Sequence, residues 1–275
     1  MDVFAAFIAP ALAGVFVGVM SGLLGVGGGT IMVPIFRLAF GMSPLASTAT
    51  SLFAIIPTSI SGVVAHTRAK TCVPKLGLAL GVGGAVVSPL GVWLASVSPG
   101  WLVICVAAVV IGFSAFKMFK KAVKCAPAPR AGASFAHSAT PKPVPDQPVL
   151  SRKQYLQGAC IGLVAGLASG YVGVGGGFIM VPLMLAILDI PMSLASGTSL
   201  IAIMILAIPG VIEQGLLGNI DYLAGIAIVV GSIPGALVGA RLVRVVPERQ
   251  LRFIFGGFLL VAAVMLMLNE FGILG

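Results

Sequence analysis

Two glycine triplets, Gly27-Gly28-Gly29 and Gly175-Gly176-Gly177, are the residues of this chain best suited to meet a ligand. A glycine inside a helix costs about 1 kcal/mol relative to alanine, and its missing side chain lets a ligand reach backbone N–H groups. Each triplet follows an apolar run and is followed by a proline, Pro34 or Pro182, early in the next segment, where a missing N–H is tolerated. The pattern predicts a helix that stops and a new helix that starts. The start of such a helix exposes amides and the positive end of its dipole, a combination that favours an anion.

Hydroxyl groups recur downstream of both triplets. Thr48, Thr50 and Ser51, with Ser196, Thr198 and Ser199, fall at the starts of the following spans, where they can cap helices or donate to an oxyanion. Both roles stay open. The candidate substrate-binding residues are Gly27, Gly28, Gly29, Thr30, Thr50, Ser51, Gly175, Gly176, Gly177, Phe178, Thr198 and Ser199. Gly14, Gly18 and Gly22, like Gly158, Gly162, Gly166 and Gly170, are spaced four apart in the small-residue pattern of membrane helix contacts, so packing is their expected role.

Other chemistry is thinly represented. Charges near apolar segments are limited to Arg37, Asp189, Glu213, Asp221 and Glu270. Arg37 either attracts an anion or snorkels to an interface, and its repeat partner is the apolar Leu185. His66 ends a span beside Arg68 and is expected at an interface rather than in a proton relay. Cys105 and Cys160 lie in apolar runs and Cys72 and Cys125 among basic segments, so no pair marks a metal site or a disulfide framework. The apolar runs hold no nucleophile with a base, no His-Glu-x-x-His pattern and no Walker loop. Neither an enzyme nor an internal ATPase is expected, and no cofactor, metal or catalytic residue.

The elements that position the triplets follow from composition. Hydrophobic residues make up 59% of the chain and charged residues 8%, with a mean hydropathy of +1.16. A soluble fold cannot coat itself with so few charges. The net charge of +9 sits in short segments between apolar runs, which points to membrane topology and away from nucleic acid. The N-terminus lacks the basic region of a signal peptide and is read as a retained first span.

The chain is also a duplication. Gly22-Leu23-Leu24-Gly25-Val26-Gly27-Gly28-Gly29-Thr30-Ile31-Met32-Val33-Pro34 returns as Gly170-Tyr171-Val172-Gly173-Val174-Gly175-Gly176-Gly177-Phe178-Ile179-Met180-Val181-Pro182, a constant shift of 148 (170 − 22). A first transmembrane repeat is assigned to 1–120, a basic linker to 121–153 and a second repeat to 154–275. Full apolar runs lie near 4–24, 46–66, 76–96, 101–119, 155–174, 196–214, 222–240 and 252–271, with shorter glycine-led segments at 28–41 and 176–190. Basic residues stay on the cytoplasmic side. That rule places the linker, Arg68 to Lys75 and Arg241 to Arg252 inside, and Ser98 to Gly100 and Glu213 to Asp221 outside. Equivalent loops then face opposite ways. An all-α polytopic fold of two inverted-topology repeats is expected, with helices broken at the glycine motifs and both termini outside. Should the short segments be re-entrant hairpins instead, the halves become parallel.

The doubled glycine motif, with Ala49-Thr50-Ser51-Leu52, Gly197-Thr198-Ser199-Leu200 and the late Gly231-Ser232-Ile233-Pro234-Gly235-Ala236-Leu237-Val238-Gly239-Ala240-Arg241, closely resembles the TauE/SafE family of sulfite and organosulfonate exporters. The resemblance implies a permease for small sulfur oxyanions or sulfonates in the bacterial inner membrane, working without ATP hydrolysis. The leading expectation is a secondary-active exporter of a small anion, by alternating access between the two glycine breaks. An anion channel, or an uptake permease for another small organic anion, is the alternative. The expected partners are the anionic substrate and the lipid bilayer, with no nucleic acid; a homodimer is left open.

Overall fold

The computed structural model describes residues 3–124, 151–172 and 175–270. Among the described residues the chain is helical throughout, with short connections and no strand. The first half holds α1 (Val3–Leu24), α2 (Gly29–Leu38), α3 (Pro44–Arg68), α4 (Pro74–Val97) and α5 (Gly100–Lys124). The second holds α6 (Arg152–Val172), α7 (Gly177–Leu183, continued by the π-helical turn Met184–Leu188), α8 (Met192–Leu216), α9 (Tyr222–Leu242) and α10 (Glu248–Glu270). Adding the repeat shift to the ends of α3 gives the ends of α8, so the duplication read from residues is a duplication of helices. The linker lies mostly outside the described residues. Its first positions, 121–124, extend α5, and Arg152 and Lys153 open α6.

Among the described residues, six helices contain stretches long and apolar enough to cross a membrane, among them Leu45–Arg68, Met192–Leu216 and Tyr222–Leu242. Their outer faces carry apolar side chains such as Leu12, Phe16, Val86, Trp93, Val164 and Leu223. Such a surface suits hydrocarbon and not water. This is a polytopic, all-α membrane protein.

The halves interleave. α1 packs on α9, α4 on α6, α3 on α8 and α5 on α10, so each of these contacts joins one half to the other. Exchanging the halves by the repeat shift turns the α1–α9 pair into the α6–α4 pair, which gives the core an approximate two-fold relation. Glycine makes both seams. A methyl group added to Gly14, Gly18 or Gly22 would strike the carbonyl oxygen of Ile228, Ser232 or Ala236, and one on Gly162, Gly166 or Gly170 that of Leu80, Gly84 or Ser88. The expected packing role of the spaced glycines is what the structure shows.

The same pairs give directions. Indices rise together along α1 and α9 and along α6 and α4, so these helices run parallel. Across α3 and α8 the approaches are Leu52 to Gly210 and Leu200 to Gly62, so those repeat counterparts run antiparallel.

Gly18→Ala and Gly166→Ala should each destabilise the detergent-solubilised protein by about 1–3 kcal/mol, because backbone and not a yielding side chain opposes the new methyl. Gly112→Ala, which meets nothing within 4 Å, should leave the melting temperature unchanged or raise it.

Candidate functional site

Each glycine triplet stands at the start of a helix that follows the end of another. α1 ends at Leu24 and α2 begins at Gly29, with Gly28 at its N-cap in the left-handed region (φ 83). Gly176 holds the same place before α7, with φ 71. Any L side chain with a Cβ is strained there, which accounts for glycine at these two points. The prolines lie deeper than the first turn, contrary to the reading from sequence. Pro34 is inside α2 and Pro182 inside α7, so each removes the i→i−4 donor to the carbonyl of Thr30 or Phe178.

The breaks come together at the middle of the molecule. A methyl on Gly27 would meet Ile203 and Ile55, and one on Gly175 would meet the same two side chains. Ile203 is the repeat counterpart of Ile55, so the two triplets face one isoleucine pair across the two-fold relation. Gly177 closes the gap further: its added methyl would lie 2.8 Å from the Gly25 carbonyl oxygen and from Val26 Cα.

The downstream hydroxyls are tied to structure. The Val73 N–H, just before α4, donates to Thr198 Oγ1 at 3.0 Å, and the Asp221 N–H, just before α9, donates to Thr50 Oγ1 at 3.0 Å. These bonds are repeat counterparts, and each lets one half cap a helix of the other. Ser199 Oγ donates within reach of both Gly25 O (2.6 Å) and Ser196 O (2.8 Å), which pins the start of the first break to α8. Ser51 Oγ donates to Thr48 O at 2.8 Å. Of the residues singled out from sequence, the structure thus brings Gly27, Gly175, Gly177 and Ser199 to one place and puts Thr50 and Thr198 at helix caps.

Three hydroxyls stand apart. Ser21, Thr30 and Ser59 are buried, and their oxygens have no hydrogen-bond partner. A buried unpaired polar group costs about 1–3 kcal/mol, so each of the three calls for an explanation. Ser21 Cβ would lie 3.7 Å from a methyl on Gly28. Thr30 is in the first turn of α2. Ser59 is one turn beyond Ile55 on the same face of α3. Ser21 and Ser59 went unnoticed in the sequence because isolated serines in apolar runs are commonplace; comparing Thr58-Ser59-Ile60-Ser61 with Leu206-Ala207-Ile208-Pro209 would have marked Ser59.

His66, expected at an interface, is fully buried. Its Nε2–H donates to Gly22 O at 2.8 Å, and its Nδ1 pairs with Thr71 Oγ1 at 2.8 Å. It ties the end of α3 to the end of α1 just before the first break. Asp221 caps α9 through Ala224 N–H (3.0 Å), and Arg37 lies in the last turn of α2. Burial pushes the Cys72 thiol up from its ordinary pKa, which makes it a poor nucleophile.

A family model described as "Sulfite exporter TauE/SafE" matches residues 10–266. The chain belongs to the TauE/SafE family. Similar proteins include "Probable membrane transporter protein YunE" of Bacillus subtilis, 26% identical over 86% of this chain and 89% of that protein. "Probable membrane transporter protein YdhB" of the same organism is 28% identical over the same shares. "Probable membrane transporter protein MamO" of Magnetospirillum gryphiswaldense is 35% identical over 38% of this chain and 18% of that protein. No solved structure matches. With its apolar helices, membership of this family makes the chain a multi-pass membrane transporter.

Thr50→Val and Thr198→Val should lower stability by similar amounts, about 1–2 kcal/mol each, since each strands one counterpart amide. Thermal unfolding of the two variants side by side checks the symmetry.

Proposed function

We propose that this transporter is a secondary carrier that exports a small anion, sulfite or an organosulfonate, by alternating access around the paired glycine breaks. The observation that carries this reading is their convergence: both triplets approach Ile55 and Ile203, and Gly177 abuts the Gly25 carbonyl. A site shared by two related halves is exposed to one side or the other as the halves rock. Amides at a helix start supply neutral donors to an anion without fixing a cation in the bilayer. The sulfur oxyanion class comes from the description of the family.

In this reading the halves are inverted repeats in a bacterial inner membrane, with the basic linker cytoplasmic. Three features support it: α3 and α8 run antiparallel, α1 and α9 run parallel, and Lys and Arg cluster in the linker and the loops assigned to the inside.

Reconstituted protein should show saturable flux stimulated by counter-substrate; single-channel currents in its place would replace the carrier with a pore. Sulfite, thiosulfate, sulfoacetate, taurine and carboxylates should be ranked by their effect on the melting temperature, since a ligand bound to the native state stabilises it. Gly28→Val or Gly176→Val should abolish transport while leaving membrane insertion intact, and well-folded Val variants with wild-type flux would remove these glycines from the site.

A further inference from the structure

α5 and α10 pack chiefly on each other, and the pair is its own repeat counterpart, because the shift of 148 carries one helix onto the other. They run antiparallel. Phe119 meets Phe253 with 6.0 Å between ring centroids, and a methyl on Gly256 would meet the Phe119 ring and the Ala115 carbonyl oxygen. The two ends of the pair are therefore built from matching positions, yet they differ in charge. The end that leads into the linker carries Lys117, Lys120, Arg249 and Arg252, and the counterparts of these residues are the uncharged Met265, Leu268, Trp101 and Ile104.

These cations lie against apolar surface. Lys117 Nζ is 4.9 Å from the Phe113 ring centroid, and the Arg249 guanidinium is 5.6 Å from that of Phe253. Phe113, Phe116 and Val123 are each more than half exposed, a face that suits acyl chains. Counter-charge is scarce. Glu248 is the one carboxylate between Arg241 and Arg252, and its Oε1 already accepts from Arg252 Nη2 at 2.6 Å and from the Met192 N–H at 3.3 Å. Among the described residues Lys117, Lys120 and Arg249 have no ion pair, and Arg249 Nε is buried without a hydrogen-bond partner.

We infer that this end of the α5–α10 pair binds an anionic phospholipid, its phosphate held between Lys120 and Arg249 and its acyl chains lying along Phe113 and Phe116, in the leaflet on the linker's side. A guanidinium fork and an ammonium group both suit phosphate oxygens. Long basic side chains reach the headgroup level while their stems stay in hydrocarbon. A topological bias toward one side needs cations only in the loops, whereas Lys117 and Lys120 sit on the helix among exposed phenyl rings. The inference does not depend on which solute the carrier moves.

The test uses the full chain in mixed micelles, with melting temperature read against phosphatidylglycerol, phosphatidylcholine and inorganic phosphate. Phosphatidylglycerol should half-saturate at the lowest concentration, and added salt should raise that concentration. Lys120→Gln combined with Arg249→Gln should raise it roughly tenfold, whereas Arg68→Gln combined with Lys75→Gln, which removes equal charge from the α3–α4 connection, should shift it less than about twofold. Equal losses in the two double variants would leave only a general surface field and overturn the site. Equal stabilisation by phosphatidylcholine or by inorganic phosphate would overturn it too. If the Lys120 and Arg249 double variant melts low without lipid, a photoreactive phosphatidylglycerol on the wild type decides: labelling concentrated on the peptides that hold Phe116 and Ile254 supports the site, and labelling no denser there than at the exposed Leu78 of α4 overturns it.

Discussion

Everything in this structure answers to one constraint: in hydrocarbon no water is present to satisfy a backbone amide or carbonyl, so a helix end inside the protein must find its partners within the protein. Breaking two helices creates such ends, and the answer is given by residues from the opposite half. At the first break Ser199 holds the Gly25 carbonyl, and away from the breaks Thr198 takes the amide ahead of α4 and Thr50 the amide ahead of α9. Among the described residues, buried side-chain atoms without a partner are the hydroxyls of Ser21, Thr30 and Ser59 and the Nε atoms of Arg244, Arg249 and Arg252.

Close approach of backbones does the rest. In lipid, helix association draws little from the hydrophobic effect and relies on van der Waals contact and short polar contacts. The α1–α9 and α4–α6 seams achieve this by placing glycine against backbone carbonyls at successive turns. The larger apolar side chains then fall on two other surfaces, the lipid-facing exterior and the core around Ile55, Ile203, Phe178 and Met180. The glycines of the seams and those of the breaks therefore serve different ends, the first bringing helices together and the second ending them.

Much of this was legible before any coordinates. The apolar runs, paired by the repeat shift, located the ten α-helices of the described residues, and Gly28 and Gly176 stood out as positions where a run of three glycines serves no helix. Capping was one of the two roles open to Thr50 and Thr198, but their partners were not legible, since each meets an amide far away in sequence. Likewise nothing local distinguishes the buried His66 from an interfacial one; its bonds to Gly22 and Thr71 depend on how α1 docks on α3.

The parallel seam between α1 and α9 has a bearing on biogenesis. During synthesis α1 is released into the bilayer some two hundred residues ahead of the helix that will cover its glycine stripe, and α4 waits in the same way for α6. Neither half owns a finished interior. Until the second repeat is made, the glycine stripes of α1 and α4 have no helix to close on, so both seams are completed only after the whole pair of repeats is in the bilayer.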